Sequence, residues 1–168
     1  FNKEGFTPGA LHAFALWDYP TPNKHGDPHS NPVILGHKTI HDKTILYFVD
    51  GLYSAYNQGE AVKRFSTMNN DWLSSAFVSL DPVALESVCS DLIASEPNLY
   101  ERNPSFNGNQ DSQLHECALA NNPPSGTKYD PENDGSGLSS LGVHEHWNNN
   151  TEKLYSRNLG KDYGIELV

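Results

Sequence analysis

The most constraining feature of the chain is the unbroken apolar run Ile45 to Val49, five residues closed by Asp50-Gly51. It is rich in β-formers, so Lys43 to Asp50 reads as a strand. A run that does not alternate with polar residues predicts a strand covered on both faces, as in the centre of an α/β sheet. A second strand is expected over Ser75 to Leu80, followed by Asp81-Pro82. Asp81 can accept hydrogen bonds from first-turn amides, and Pro82 fits the first helical position, where a missing N–H costs nothing. Leu85, Val88, Cys89 and Leu92 then share one face at helical spacing until Pro97 ends the segment. Strand, Asp-Pro and amphipathic helix together predict an α/β fold with a mixed or parallel sheet, flanking helices and long loops.

The other elements are shorter. A second helix is expected over Asp111 to Asn121, capped by Asp111 or Ser112 and closed by Asn121-Asn122-Pro123-Pro124. Val143 to Trp147 and Ile165 to Val168 read as short strands. Pro32 to Gly36 reads as a brief helix or strand, and Gly36 to Lys43 as a connection. Gly51 to Asp71 is too long for a structureless loop, so it is either functional or holds a short element. Residues 1–32 form an irregular N-terminal arm in which Leu11 to Trp17 is the apolar piece and a candidate short helix. The expected organisation is one domain over residues 1–168, with the arm ahead of a folded region over 33–168.

A chain of 168 residues can bury roughly 70% of its unfolded surface and so build a core without staples. Eleven Lys and Arg against 21 Asp and Glu give a net charge of -10. That sign repels phosphate backbones and anionic lipid, which argues against nucleic-acid and membrane-surface partners. A five-residue apolar run falls far short of the ~20 residues that cross a bilayer, so no membrane insertion is expected. Two cysteines, Cys89 and Cys117, cannot hold a four-Cys iron–sulfur cluster or a Cys-rich zinc module. Both fall on predicted inner helix faces, which leaves two inert thiols or one disulfide open.

Several segments carry a resemblance. They are Lys43 to Tyr53, Ser79 to Ala84, Tyr129-Asp130-Pro131 with Asp134-Gly135, Ser140 to Asn148, Tyr155 to Gly160, and Gly164 to Leu167. Together they resemble the bacterial family known as domain of unknown function 362, over about residues 31–168. The His144-Glu145-His146-Trp147-Asn148 piece is similar to a narrower branch associated with exported proteins, which implies a periplasmic or extracellular location. The family domain is larger than this chain, which begins at Phe1, so the resemblance implies that an N-terminal portion of the domain is missing. It implies no established reaction. Some members carry ferredoxin-type cysteine motifs, and this chain has none.

The sharpest constellation is His144-Glu145-His146. In an extended segment residues i and i+2 point to the same side, so two imidazoles would share one face about 6–7 Å apart, with Glu145 opposite. That suits two ligands of one metal ion if a third donor arrives from His37, His41, His115, Asp50 or Asp81. The competing reading packs one ring on Trp147 and hydrogen-bonds the other to a carboxylate or carbonyl. Asp130-Pro131-Glu132-Asn133-Asp134-Gly135 resembles the front half of a calcium loop, with Asp130 and Asp134 as ligands. Its twelfth position is Leu141 where a bidentate Glu is needed, so an ordinary Asp/Gly turn competes. Asp50 stands at a strand end, where α/β sheets place ligands, and serves as an added ligand or base. Asp81 stands in the same place, although capping already explains it.

His37 and His41 would share a face if their segment were helical, but Thr39 and Ile40 argue against a helix there. Arg157 could bind a carboxylate or sulfate, or form a surface salt bridge. Trp17, Tyr19, Trp72 and Trp147 could stack on sugars or pack in a core. There is no Gly-x-Ser-x-Gly elbow, P-loop or dinucleotide fingerprint, and Ser74 and Ser75 lack any nucleophile signature. The resulting expectation is a metal-assisted hydrolase-type site around His144 and His146, with zinc, manganese or calcium bound and Asp50 and Glu145 as catalytic carboxylates. The alternative is a non-catalytic module that binds carbohydrate or assembles with copies of itself.

Overall fold

The computed structural model describes residues 30–53, 55, 61–97 and 109–168. The candidate helix at Leu11 to Trp17, and Trp17 and Tyr19 themselves, lie outside the described residues. In chain order the elements are α1 (Ser30–Gly36), α2 (Lys38–His41), β1 (Tyr47–Gly51), a 3-10 turn (Ser66–Met68), β2 (Ser75–Ser79), α3 (Pro82–Ala94) and α4 (Asn109–Ala118).

The combination of helices and a sheet is the expected one, but the sheet among the described residues is not parallel. It has two strands, and β1 pairs antiparallel with β2 in the register Tyr47↔Ser79, Val49↔Phe77 and Gly51↔Ser75. Nor is the apolar run covered on both faces. Ile45 and Leu46 precede the strand, and Phe48 and its partner Val78 are 61% and 56% exposed. The physical reason is that an antiparallel pair needs cover on one side only. Tyr47 and Phe77 turn inward to the two core clusters, while Phe48 and Val78 line the outer face.

Helix α3 is the spine. Asp81 caps it by accepting from Ala84 N at 2.8 Å, and Pro82 sits in its first turn, as the sequence predicts. Val83, near its start, packs with Leu35 of α1 and with Leu114 and Cys117 of α4. Val88 and Leu92, further along, pack with Tyr155 and Ile165 from the C-terminal segment, and Phe77 leans on this second cluster. Cys89 and Cys117 are both buried and unpaired, so the disulfide alternative gives way to packed thiols. Burial pushes both thiols well above their ordinary value.

The region between Gly51 and Asp71 does hold a short element, the 3-10 turn, flanked by a bridge between Phe65 and Asp71. Glu96, just past the end of α3, fixes that turn. Its carboxylate accepts from the backbone N–H groups of Ser66 and Thr67 at 3.0 and 3.1 Å, and from both hydroxyls. The expected connection at Gly36 to Lys43 is instead helical over α2, with His37 as its N-cap accepting from Thr39 N. Residue His37, placed before the turn, offers the side-chain acceptor that the argument from Thr39 and Ile40 left out.

The two expected C-terminal strands are absent. Among the described residues, 143–147 and 165–168 have no ladder partners. Side-chain acceptors replace the neighbouring strand. Val143 N donates to Asp81 Oδ2 at 2.8 Å, Trp147 N to Asp91 Oδ2 at 3.0 Å, and Ile165 N to Glu145 Oε1 at 2.5 Å. Gly142 makes the first of these approaches feasible, because a Cβ there would run into the Asp81 carboxylate. Asp81 and Asp91 thus strap residues 143–147 along α3, and Glu145 ties Ile165 back to this strap.

Candidate metal centre

Three pieces of chain converge beside this strap. Helix α3 presents Ser87 and Asp91, four residues apart and therefore on one face. Helix α4 presents Asp111 and His115, again four apart. The extended segment after Gly142 presents His144 and His146 to the same side, with ring centroids 5.0 Å apart. Alternation along that segment produces the pairing even without a strand ladder.

Each imidazole is oriented through one nitrogen. His144 Nδ1 lies 2.8 Å from Ser87 Oγ. The Ser87 hydroxyl proton is already donated to Val83 O at 2.7 Å. His144 must then donate its Nδ1–H to Ser87, which leaves the lone pair on Nε2. His146 Nδ1 donates to Asp91 Oδ1 at 2.7 Å. Asp91 is only 7% exposed, and its second oxygen accepts from Trp147 N and, at 2.8 Å, from the Tyr155 hydroxyl. A ligating histidine whose other nitrogen is held by a carboxylate or hydroxyl is the usual outer architecture of a metal site.

The free nitrogen of His146 faces Asp111. His146 Nε2 lies 3.6 Å from Asp111 Oδ1, and one donor atom each from Asp111, His144 and His146 lies within 4.8 Å of the other two. Ligands of a tetrahedral zinc ion stand about 3.3 Å apart, given metal–ligand bonds of about 2.0–2.1 Å. The 3.6 Å spacing of His146 Nε2 and Asp111 Oδ1 needs only a small contraction to meet that value. His146 and Asp111 are 49% and 46% exposed, so the cluster opens to solvent.

The two rings sit in different electrostatic settings. Burial lowers the pKa of His144 to about 4, helped by the neighbouring His115 and His146. It is held neutral, the form a metal needs. The hydrogen bond to Asp91 raises that of His146, against an opposing contribution from burial and with help from the charges of Asp91 and Asp111.

The other candidates are used elsewhere. Among the described residues, Asp111, His144 and His146 are the one set of three or more His, Cys, Asp or Glu with donor atoms that close together. Asp50 is exposed, and its Oδ1 accepts from Leu52 N at 3.0 Å, closing the turn after β1. Glu145 accepts from Ser156 N and Ile165 N, so it anchors the strap. Burial pushes its carboxyl up, but these hydrogen bonds outweigh burial and hold it below the ordinary value. Asp130 accepts from Asp134 N and Gly135 N, and Asp134 from Ser136 N, so both carboxylates fold back on their own turn. Glu132 accepts from Lys38 N at 2.7 Å and lies 3.3 Å from His37 Nδ1, docking that turn onto α2. His41 lines a separate cleft of about 230 Å³ with Tyr47, Leu80 and Leu141.

Arg157 donates through Nε to Gly164 O, a loop-closing bond. Trp72 carries Arg64 over its ring and meets Tyr53 edge-on. Trp147 carries Lys153 over its ring and donates Nε1–H to Asn150.

Sequence reasoning missed Asp111, Asp91 and Ser87. The sequence predicts Asp111 or Ser112 as the cap, but α4 begins at Asn109, which places Asp111 inside the first turn. The available signal was its four-residue spacing to His115. No protein-family model, curated protein or solved structure matches the chain.

Proposed function

We propose that Asp111, His144 and His146 bind a divalent metal ion and that the bound ion carries out hydrolytic chemistry. The observation that carries this reading is the donor set: one donor atom each from a carboxylate and two imidazoles within 4.8 Å of one another, with each ring anchored through its Nδ1. Two nitrogen donors and one oxygen suit zinc first and manganese second. Calcium, which takes six to eight oxygens, fits this set poorly. Three protein donors leave room for water, whose pKa a bound zinc lowers to about 7. From the resemblance we also keep the proposal that the protein is exported.

The test is elemental analysis of protein purified without chelator, with the Asp111→Ala and His146→Ala variants beside it. About one ion per chain in the wild type, and its loss in both variants, is the expected result. Less than ~0.1 ion per chain, with no rise in melting temperature on adding zinc or manganese, removes the reading, because a bound ion stabilises the fold by mass action.

A second reading is a non-catalytic module that assembles with copies of itself. The exposed outer face of the sheet, with Phe48, Val78 and Leu80, favours it. Sedimentation of the wild type and of Phe48→Lys decides: a monomer at all concentrations in both excludes it.

A further inference from the structure

We infer that His115 is a fourth protein donor, which closes onto the metal held by Asp111, His144 and His146. The inference rests on the metal reading above and deepens it.

His115 follows Asp111 by one helical turn on α4, so the two Cβ atoms lie about 5–6 Å apart on one face. A metal held by the Asp111 carboxylate is therefore within the reach of a side chain one turn along. The ring of His115 already meets that of His144 edge-on, with centroids 4.5 Å apart and planes at 89°. His115, His144 and His146 thus form a row of three imidazoles at 4.5 and 5.0 Å.

The three rings differ in how they are held. His144 and His146 are fixed by Ser87 and Asp91. His115 is exposed, and among the described residues no hydrogen bond holds its ring. In the present conformation its nitrogens stand outside the donor set. Bringing one of them in takes a rotation of an exposed side chain between staggered wells, a motion on the ps–ns scale.

The consequence is a site with two fixed imidazoles, the Asp111 carboxylate and one movable ring. With His115 on, a tetrahedral ion is fully coordinated by protein, as in structural sites. With His115 off, one position is open to water or substrate, as in catalytic sites. His115 would decide which of these states the ion occupies at rest.

The experiment titrates the chain, labelled with 15N-histidine, with Zn2+ alone and follows the ring nitrogens. His115→Ala and His115→Gln are measured by chelator competition for Zn2+, with circular dichroism confirming their fold. The expected result is that the rings of His115, His144 and His146 all shift together at one equivalent. Both variants should bind Zn2+ about 10- to 100-fold more weakly, since a direct donor should matter at least as much as an outer partner. If only His144 and His146 shift and the variants bind within about twofold of wild type, the His115 inference falls and the three-donor site stands. If no ring shifts and wild type binds no Zn2+, both fall.

Discussion

Replacing Asp91 by Asn tests how the site is built. The carboxylate is 7% exposed and accepts three hydrogen bonds, from His146 Nδ1 at 2.7 Å, Trp147 N at 3.0 Å and the Tyr155 hydroxyl at 2.8 Å. An Asn amide has one acceptor oxygen and one donor group. Oriented toward His146, it turns an NH2 toward the Trp147 N–H and leaves the strap without its acceptor. Oriented the other way, it turns the NH2 toward His146 Nδ1 and forces the other tautomer, moving the lone pair away from Asp111. Hydrogen bonds to a charged group are worth about 1.5–3 kcal/mol each, and at least one is lost in either orientation. A net loss of about 3 kcal/mol corresponds to a fall in melting temperature of about 6–12 °C for a domain of this size. Zinc affinity should fall about 10- to 100-fold, the usual effect of removing an outer partner of a ligating histidine. Thermal unfolding with and without zinc, together with chelator competition, reads both quantities. An Asp91→Asn protein with unchanged melting temperature and zinc affinity would refute the argument.

Tyr155→Phe keeps the buried ring and removes only the hydroxyl, so it should cost about 1–2 kcal/mol in a denaturant melt and affect zinc binding less than Asp91→Asn does. In metal-free protein the His144 ring should stay neutral down to about pH 4 by NMR. Its folded pKa is depressed, so its contribution to stability is present above the unfolded value of about 6.5 and is lost as pH falls from 6.5 toward 4. His146 has the opposite sign. Its folded pKa is raised, so its contribution is full below about 6.5 and is lost as pH rises through the higher folded value. Glu86 is 2% exposed, its Oε2 has no hydrogen-bond partner among the described residues, and burial raises its carboxyl to about 8. Its stabilising contribution should therefore decline from about pH 4.5 to 8, and Glu86→Gln should raise the melting temperature at pH 8.5 while changing it little at pH 5.

What the sequence reveals divides along the range of the forces involved. Asp81-Pro82 and the Leu85, Val88, Leu92 spacing are local signals, and they locate α3. The His144 and His146 pairing is also local, since it follows from alternation in any extended segment. The direction of the sheet is a tertiary outcome. The same five-residue run can be central or one-sided, and the exposure of Phe48 and Val78 is set by what covers the sheet. The missing C-terminal strands have a similar cause. Residues 143–147 have strand-like sequence, but Asp81 and Asp91 supply acceptors from α3 that no local pattern reveals. The third donor is hidden for a different reason: α4 starts two residues before Asp111, which moves Asp111 from the cap position into the first turn, facing His146. Here the position of the helix boundary carries the chemistry.

The central claim is that one ion sits between the strap and α4. Anomalous X-ray diffraction at the zinc edge, from crystals grown with Zn2+, measures this directly. The account predicts a single strong peak about 2.0–2.2 Å from His144 Nε2, His146 Nε2 and an Asp111 carboxylate oxygen. A well-loaded crystal with no peak there, or with its peak in the Asp130 to Gly135 turn, would contradict it.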